Sequence, residues 1–300
     1  MHDWVAGARL RTLPLSAVSV IVGTGVAVAG DPAGATGYAV RDDHAAIASL
    51  CMVVALCLQI GVNYTNDYSD GVRGTDAFRV GPARLTGSGR ATPRSVLSVG
   101  LAFYGLAAVA GLAVVLMTQY WWLLAVGVVA IAAAWYYTGG KRPYGYHALG
   151  EVSVFVFFGL VPVLGTQFAQ IGRITVDGWA GAVAVGFFAC GALMINNIRD
   201  LAADREAGKR TLAVRIGPVA ARVLYALFLK LPFLALLLPI LHVPLAIVAG
   251  AALALALTAA RIGLTEEEPL RLIKALQLTS LSSLAFGVLL AGSLVFDAAR

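Results

Sequence analysis

Asn66, Asp67 and Asp70, followed by Asp76, put an amide and three carboxylates at the end of an apolar run that begins near Ala45. If the helix continues through Asp70, Asn66 and Asp70 lie one turn apart on one face. A second group has the same character. Asn196, Asp200 and Asp204 recur every four residues behind another apolar run, a spacing that strings them along one helical face. Ionised oxygens beside hydrocarbon are costly unless a cation neutralises them. Carboxylate and amide oxygens are hard donors suited to Mg²⁺, which binds through one or two carboxylates plus substrate phosphates. Basic residues stand close by: Arg73 between Asp70 and Asp76, Lys209 and Arg210 after Asp204, and Lys141 with Arg142 in a short polar segment. Acids that hold Mg²⁺ and cations that reach beyond them make a diphosphate cradle, able to stabilise charge on a departing phosphate. A diphosphate used at a membrane surface implies a lipid tail housed among the helices. Asp177 and Asp297 stand alone at other boundaries and read as ordinary helix-end residues.

The elements that must position these residues are membrane helices. The chain of 300 residues is 59% hydrophobic and only 13% charged, against about 25% charged in a soluble domain. Its mean hydropathy is +0.83. Apolar segments near the ~20 residues a bilayer core requires run at about 13–30, 45–65, 95–117, 121–138, 148–168, 179–198, 222–241, 243–262 and 276–296. The division between the seventh and eighth is the tightest, with His242 and Pro244 marking the turn. Arg9 and Arg11 precede the first segment with no small-residue cleavage site, so it reads as a helix and not a removable signal. Cys51, Cys57 and Cys190 lie in apolar segments without CxxC spacing, which disfavours disulfides and thiolate metal sites. The four histidines form no ligand pair.

A net charge of +6 could point to nucleic acid, but its distribution points to topology. Eighteen Lys and Arg residues fall in the N-terminal tail and in the loops at 66–94, 139–147, 199–222 and 261–275, against Arg41, Arg173 and Arg300 on the other side. The positive-inside rule then puts the N-terminus and both acidic loops in the cytoplasm and the C-terminus outside the cell membrane. The acidic clusters end the second and sixth spans. The expectation is an all-α integral membrane protein of nine transmembrane helices, built as two parallel four-helix repeats (about 13–138 and 148–262) plus a ninth helix at 276–296. These surround a central cavity open to the cytoplasmic side.

At these residues the chain resembles the UbiA-type intramembrane aromatic prenyltransferases, and within them the 1,4-dihydroxy-2-naphthoate polyprenyltransferases of menaquinone synthesis. The NDxxD pattern is matched at Asn66-Asp67-Tyr68-Ser69-Asp70 and the second DxxxD at Asp200 to Asp204. The naphthoate branch's NDYxDxxxGxD runs from Asn66 to Asp76, and a GPxRL-like stretch follows at Gly81 to Leu85. Arg142-Pro143-Tyr144-Gly145-Tyr146-His147-Ala148-Leu149-Gly150-Glu151 matches a central RPYGYxxLGE element. The stretch from Asn196 to Gly217 resembles NNxRDxxxDxxxGKxTLxxRxG, and Arg11–Leu15 an RTLPL-like entry to the first helix. The departure is Asp76, six residues after Asp70 where the wider superfamily has four.

The resemblance implies Mg²⁺-dependent transfer of a polyprenyl group from its diphosphate to a naphthoate ring, with loss of CO₂ and formation of demethylmenaquinone. Asn66, Asp70, Asp200 and Asp204 are the expected metal residues, with Asp67, Asp76 and Asn196 behind them. Arg73, Lys141, Arg142, Lys209 and Arg210 are expected on the diphosphate, with Lys209 assisting its departure. Tyr64, Tyr68, Tyr136 and Tyr144 are candidates for the aromatic wall around an allylic cation, although tyrosines at span ends also form interface belts. Glu151 opens the fifth span and is a candidate to take or orient a ring-hydroxyl proton; a helix-dipole role is its alternative. Arg11, Tyr144 and Glu151 are the candidate acceptor contacts. The rivals are another acceptor, such as 4-hydroxybenzoate, or an ion or metabolite transporter. Transporters place their sites near the midplane, whereas these clusters sit at one face.

Overall fold

The computed structural model describes residues 2–41, 43–75 and 84–300. Among them every regular element is helical. Seven helices among the described residues are long and apolar enough to cross a membrane, and an eighth span is counted if a bent pair is taken as one. That pair is the entry segment Asp3–Thr12, turned by 46° against α2 (Pro14–Gly30). It contains α1 (His2–Gly7) and a 3₁₀ turn at Leu10–Thr12. A short helix, α3 (Gly34–Ala39), leads to α4 (His44–Arg73). There follow α5 (Pro93–Thr118) and the shorter apolar α6 (Leu123–Tyr136).

The next span is composite: α7 (Gly150–Val154), a π turn at Phe155–Leu160, and α8 (Val161–Ile171). Beyond it lie α9 (Val176–Arg199), α10 (Leu201–Glu206), α11 (Leu212–Ile216), α12 (Pro218–Ala235) and α13 (Leu237–Ile240). A 3₁₀ stretch, Pro244–Ala252, runs into α14 (Leu253–Thr265), and α15 (Pro269–Ala298) closes the chain.

Starts and stops follow local chemistry. Thr92, Thr175 and Thr211 accept backbone N–H bonds at the starts of α5, α9 and α11, and Pro opens α2, α5, α12 and α15. α4 continues past the span end expected near residue 65 and carries the first acidic motif through to Arg73. It stops at Gly74, whose φ of 72° and backbone bonds to the Asp70 and Gly71 carbonyls make the left-handed cap.

The main core gathers α2, α8, α9, α12, α14 and α15, with Val18, Val185, Phe188, Met194, Leu229 and Phe286 all fully enclosed. Hydrocarbon outside offers no hydrophobic drive, so close approach of small residues does the packing. A Cβ on Gly287 would meet Val18 Cγ2 at 2.1 Å, and one on Gly25 would meet Ala291 Cβ at 2.5 Å. The outward faces of α5 and α12 are apolar, with Leu101, Val109, Leu116, Val219 and Leu234 exposed, as a lipid-facing surface requires. The other half of the molecule, α4 to α6, leaves a cavity between itself and this core.

Candidate active site

The cavity encloses about 380 Å³. At its polar end stand Asn66 and Asp70 from α4, Asn196 and Asn197 from α9, Asp200 and Asp204 at the α9–α10 junction, and Arg84 with Lys209 from the loops. From there an apolar tunnel continues between α4, α5, α6 and α8, past Leu58, Val54, Val126, Gly127, Gly165 and Ala169. On α4 the lining extends from Asp70 to Cys51, a rise of about 28 Å at 1.5 Å per residue. That is nearly the hydrocarbon thickness of a bilayer.

Asp70 is 2% exposed and gathers three partners. Its Oδ2 lies 2.9 Å from Arg84 Nη1 and 3.2 Å from Lys209 Nζ, while Oδ1 accepts the Tyr146 hydroxyl at 2.5 Å. The Lys209 amine also lies 4.0 Å from Asp204 Oδ1. One ammonium therefore bridges the two acidic motifs, which come from chain segments more than a hundred residues apart. α9 ends at Arg199 with Asp200 as its C-cap, yet the Asp200 N–H to Asn196 and the Asp204 N–H to Asp200 bonds carry the four-residue pattern across the break. All three side chains line the cavity. Asp200 is gripped by Arg199 through two bonds of 2.8 and 2.7 Å. Asn66 accepts Thr138 Oγ1 at 2.6 Å.

Aromatic walls stand around this end. The Tyr146 ring has the Lys209 amine 4.8 Å from its centroid. Burial, and then the Asp70 carboxylate beside it, push the Tyr146 phenol well above the usual tyrosine range, so it stays a donor. Tyr144 lines the cavity with its hydroxyl 2.8 Å from the Ala133 carbonyl and 2.9 Å from Ser153 Oγ. Tyr137 meets Tyr144 edge to face at 5.6 Å. Phe157 and Phe158 complete the wall.

Several expected site residues are placed elsewhere. Both Asp67 oxygens accept backbone N–H groups, from Leu85 at 2.9 Å and Thr86 at 2.8 Å, so this carboxylate ties down the returning loop. Asp76 lies outside the described residues. Tyr68 packs with Tyr64, Leu85 and Val96 in a separate cluster, and the Tyr64 hydroxyl goes to the Trp4 carbonyl. Tyr136 is exposed on α6. Arg11 is exposed, whereas Arg9, held at a φ of 54°, is the N-terminal arginine that lines the cavity. Glu151 is buried one layer back. Its Oε1 accepts Asn197 Nδ2 at 3.1 Å, and its Oε2 has no hydrogen-bond partner among the described residues.

Arg73, Lys141, Arg142 and Arg210 line a second cleft on the far side of Tyr146, because Arg73 is drawn to the carbonyls of Thr138 and Gly140. Of the five expected diphosphate cations, Lys209 alone lines the main cavity, joined there by Arg84. Arg84, Tyr146 and Asn197 lay inside recognisable motifs; what marks them out is their contacts with Asp70 and Glu151.

The donor set fits Mg²⁺. Among the described residues no three carboxylate, imidazole or thiolate groups form a ready metal cage. Mg²⁺ does not need one, since it takes one or two carboxylates, substrate phosphates and water. Asn66, Asp70, Asn196, Asp200 and Asp204 offer such hard oxygens around one space.

The UbiA prenyltransferase family model matches residues 17–291. The chain belongs to that family. It is 46% identical over 297 residues to a 1,4-dihydroxy-2-naphthoate octaprenyltransferase of Mycobacterium tuberculosis, covering 98% of this chain and 97% of that one. The Escherichia coli protein of the same name is 37% identical, with 75% and 72% covered. A solved UbiA homolog from Archaeoglobus fulgidus, bound to DMAPP and Mg²⁺, superposes with a TM-score of 0.64 at 14% identity, covering 96% of this chain and 99% of that one. At that identity the likeness speaks for the fold. The family membership and the apolar helices make this a multi-pass membrane transferase.

Proposed function

We propose that this protein transfers a polyprenyl group from polyprenyl diphosphate to 1,4-dihydroxy-2-naphthoate, releasing diphosphate and CO₂ and giving the hydroquinone form of demethylmenaquinone. The observation that carries the reading is the single Lys209 ammonium lying within 4.0 Å of both Asp70 and Asp204. Two oxygen-rich motifs that meet at one cation can meet at one Mg²⁺–diphosphate. The names of the relatives supply the acceptor.

Asn66, Asp70, Asp200 and Asp204, with Asn196, would hold Mg²⁺, whose contribution there is to neutralise negative charge on the diphosphate. Lys209 and Arg84 would turn their N–H groups from Asp70 to phosphate oxygens and steady the leaving group. Departure of diphosphate leaves an allylic cation at the head of the apolar tunnel. Tyr137, Tyr144 and Tyr146 face it with π surfaces and keep water away. Asn197, oriented by Glu151, is positioned to accept a ring hydroxyl of the naphthoate, and Arg9 stands on the wall where an acceptor carboxylate would pair. The ring carbon bonds to the prenyl carbon, the carboxylate leaves as CO₂, and its bonding electrons restore aromaticity. The tunnel houses the tail.

In this reading the molecule has nine spans: the seven long helices, the bent entry pair and α6. They form two four-helix repeats and a final helix. The Lys and Arg distribution supports a cytoplasmic N-terminus and active-site loops, with the C-terminus outside.

The deciding experiment incubates purified protein with labelled polyprenyl diphosphate, Mg²⁺ and a panel of acceptors in detergent. Label should pass to 1,4-dihydroxy-2-naphthoate with equimolar diphosphate and CO₂ release. Preferential transfer to 4-hydroxybenzoate would overturn the acceptor. Asp70→Asn should lower turnover by about 10²–10³-fold while the protein still inserts and purifies.

A further inference from the structure

Lys230 stands in the middle of a membrane span. Pro218–Ile240 is 23 residues long, and twelve of them precede Lys230 while ten follow it. Among the described residues, every other Asp, Glu, Lys or Arg of the long spans falls within the first or last two turns. Lys230 is exposed on the outward face of α12, outside the cavity, and its amine pairs with no acid among the described residues. Its neighbours on that face, Val223, Leu227, Leu234 and Leu237, are apolar and exposed. With Lys230 they recur at steps of four, three, four and three.

An ammonium facing hydrocarbon needs relief, and three sources can be weighed. At 1.5 Å per residue Lys230 lies about 18 Å from the Pro218 end of the span and about 15 Å from the Ile240 end, half a hydrocarbon core from either surface. An extended lysine stem spans about 6 Å, so its amine stays well below any lipid headgroup. A second copy of this chain brings no acid to this depth either, because its carboxylates stand near span ends. A two-fold axis along the membrane normal would set Lys230 against Lys230. What remains is a carboxylate on the helix of another protein. Mid-span ionisable residues mark function by default, and polar pairs across helices draw them together in lipid. The four-three spacing is that of a helix–helix seam, where a single Lys fixes register.

We propose that the outward face of α12 docks a transmembrane helix of another membrane protein, one that carries an Asp or Glu at mid-bilayer depth opposite Lys230. The carboxylate takes the ammonium, and Val223, Leu227, Leu234 and Leu237 supply the apolar contact around it. No residue of α12 lines the cavity, so docking there is independent of the transfer reaction and of its acceptor.

The test reconstitutes the full chain in phosphatidylcholine vesicles with a synthetic leucine-rich transmembrane peptide that carries one Glu at its centre. Association is read by energy transfer between labelled protein and labelled peptide, against the same peptide with Leu in place of Glu. The Glu peptide should bind about tenfold more tightly than the Leu peptide, and Lys230→Leu should abolish the difference. Lys230→Glu should in turn prefer a peptide with a central Lys. Both variants should keep the parent's turnover and elution profile, since Lys230 lies outside the cavity. Photo-crosslinkers in place of Leu227 or Leu234 should capture the Glu peptide, whereas one in place of the exposed Leu106 on α5 should not. In native membranes the same two positions should give an adduct with a protein whose span carries a mid-depth acid, and Lys230→Leu should remove it. Equal binding of the two peptides, a preference that survives Lys230→Leu, or no native adduct beyond lipid or a second copy overturns the proposal.

Discussion

At Asp70 one carboxylate collects an arginine, a lysine and a phenol from three stretches of chain, Arg84, Lys209 and Tyr146. Such a cluster keeps a buried charge compensated. The Tyr146 phenol, raised by burial and by Asp70, favours the protonated form in the fold. Its contribution to stability is therefore whole below the unfolded tyrosine pKa of about 10 and is lost as pH rises towards the folded value. Spectrophotometric titrations of the parent protein and of Tyr146→Phe should differ by one late-ionising phenol, and the substitution should flatten the alkaline loss of stability. Glu151 accepts a hydrogen bond from Asn197 at 3.1 Å, and in the proposed mechanism it orients that amide. Glu151→Gln and Asn197→Ala should each lower kcat while leaving KM for the prenyl donor near its original value. The double variant should be no worse than the poorer single one; additive losses would separate the two residues.

Among the elements, the composite span Gly150–Ile171 carries the most unusual backbone. Ser153, Phe157, Val161, Gly165 and Ala169 all line the cavity at steps of four residues. In a pure α-helix that spacing drifts by about 40° per step, so the lining would rotate away. The wider turn at Phe155–Leu160 absorbs part of the drift and holds one face to the tunnel. It also lets Gly159 lie against Gly186, where a Cβ would come 2.5 Å from the Gly186 Cα. The α2–α15 contact is equally tight. Gly287→Leu, driven into Val18, should cost about 1–3 kcal/mol and lower the unfolding temperature in detergent. Val18→Ala in the same protein should restore part of the loss; an unaffected single variant would mean the two helices can part cheaply.

For the whole molecule, one half is a packed core of α2, α9, α12, α14 and α15, and the other encloses space. α6 is the thin wall of that space, with Ala130 its one buried residue. A long isoprenoid fits this arrangement because the tunnel runs along most of α4. Gly165 lies partway down, lines the cavity and has open space where a Cβ would stand. Gly165→Phe should therefore spare turnover of short prenyl diphosphates and suppress that of long ones, read as the ratio of kcat/KM for the two donors. Equal loss for both would mean that the tail takes another route.

The amino-acid order alone determined a great deal. The long apolar runs required membrane helices, because backbone groups in hydrocarbon must pair within a segment. The amide and acid spacing marked Asn66, Asp70, Asn196, Asp200 and Asp204, since a four-residue period on a helix is a shared face. Tertiary structure alone decided which way the neighbours of those residues turn. Asp67 sits one residue along from Asn66 and so about 100° round the helix, which sends it to the Leu85 and Thr86 backbone and not to the cavity. The basic residues were legible as a set, yet their division between two compartments depends on the carbonyls that hold Arg73 and on the ring of Tyr146 between them. Local spacing can name a helix face, but what that face meets is set by segments a hundred residues away.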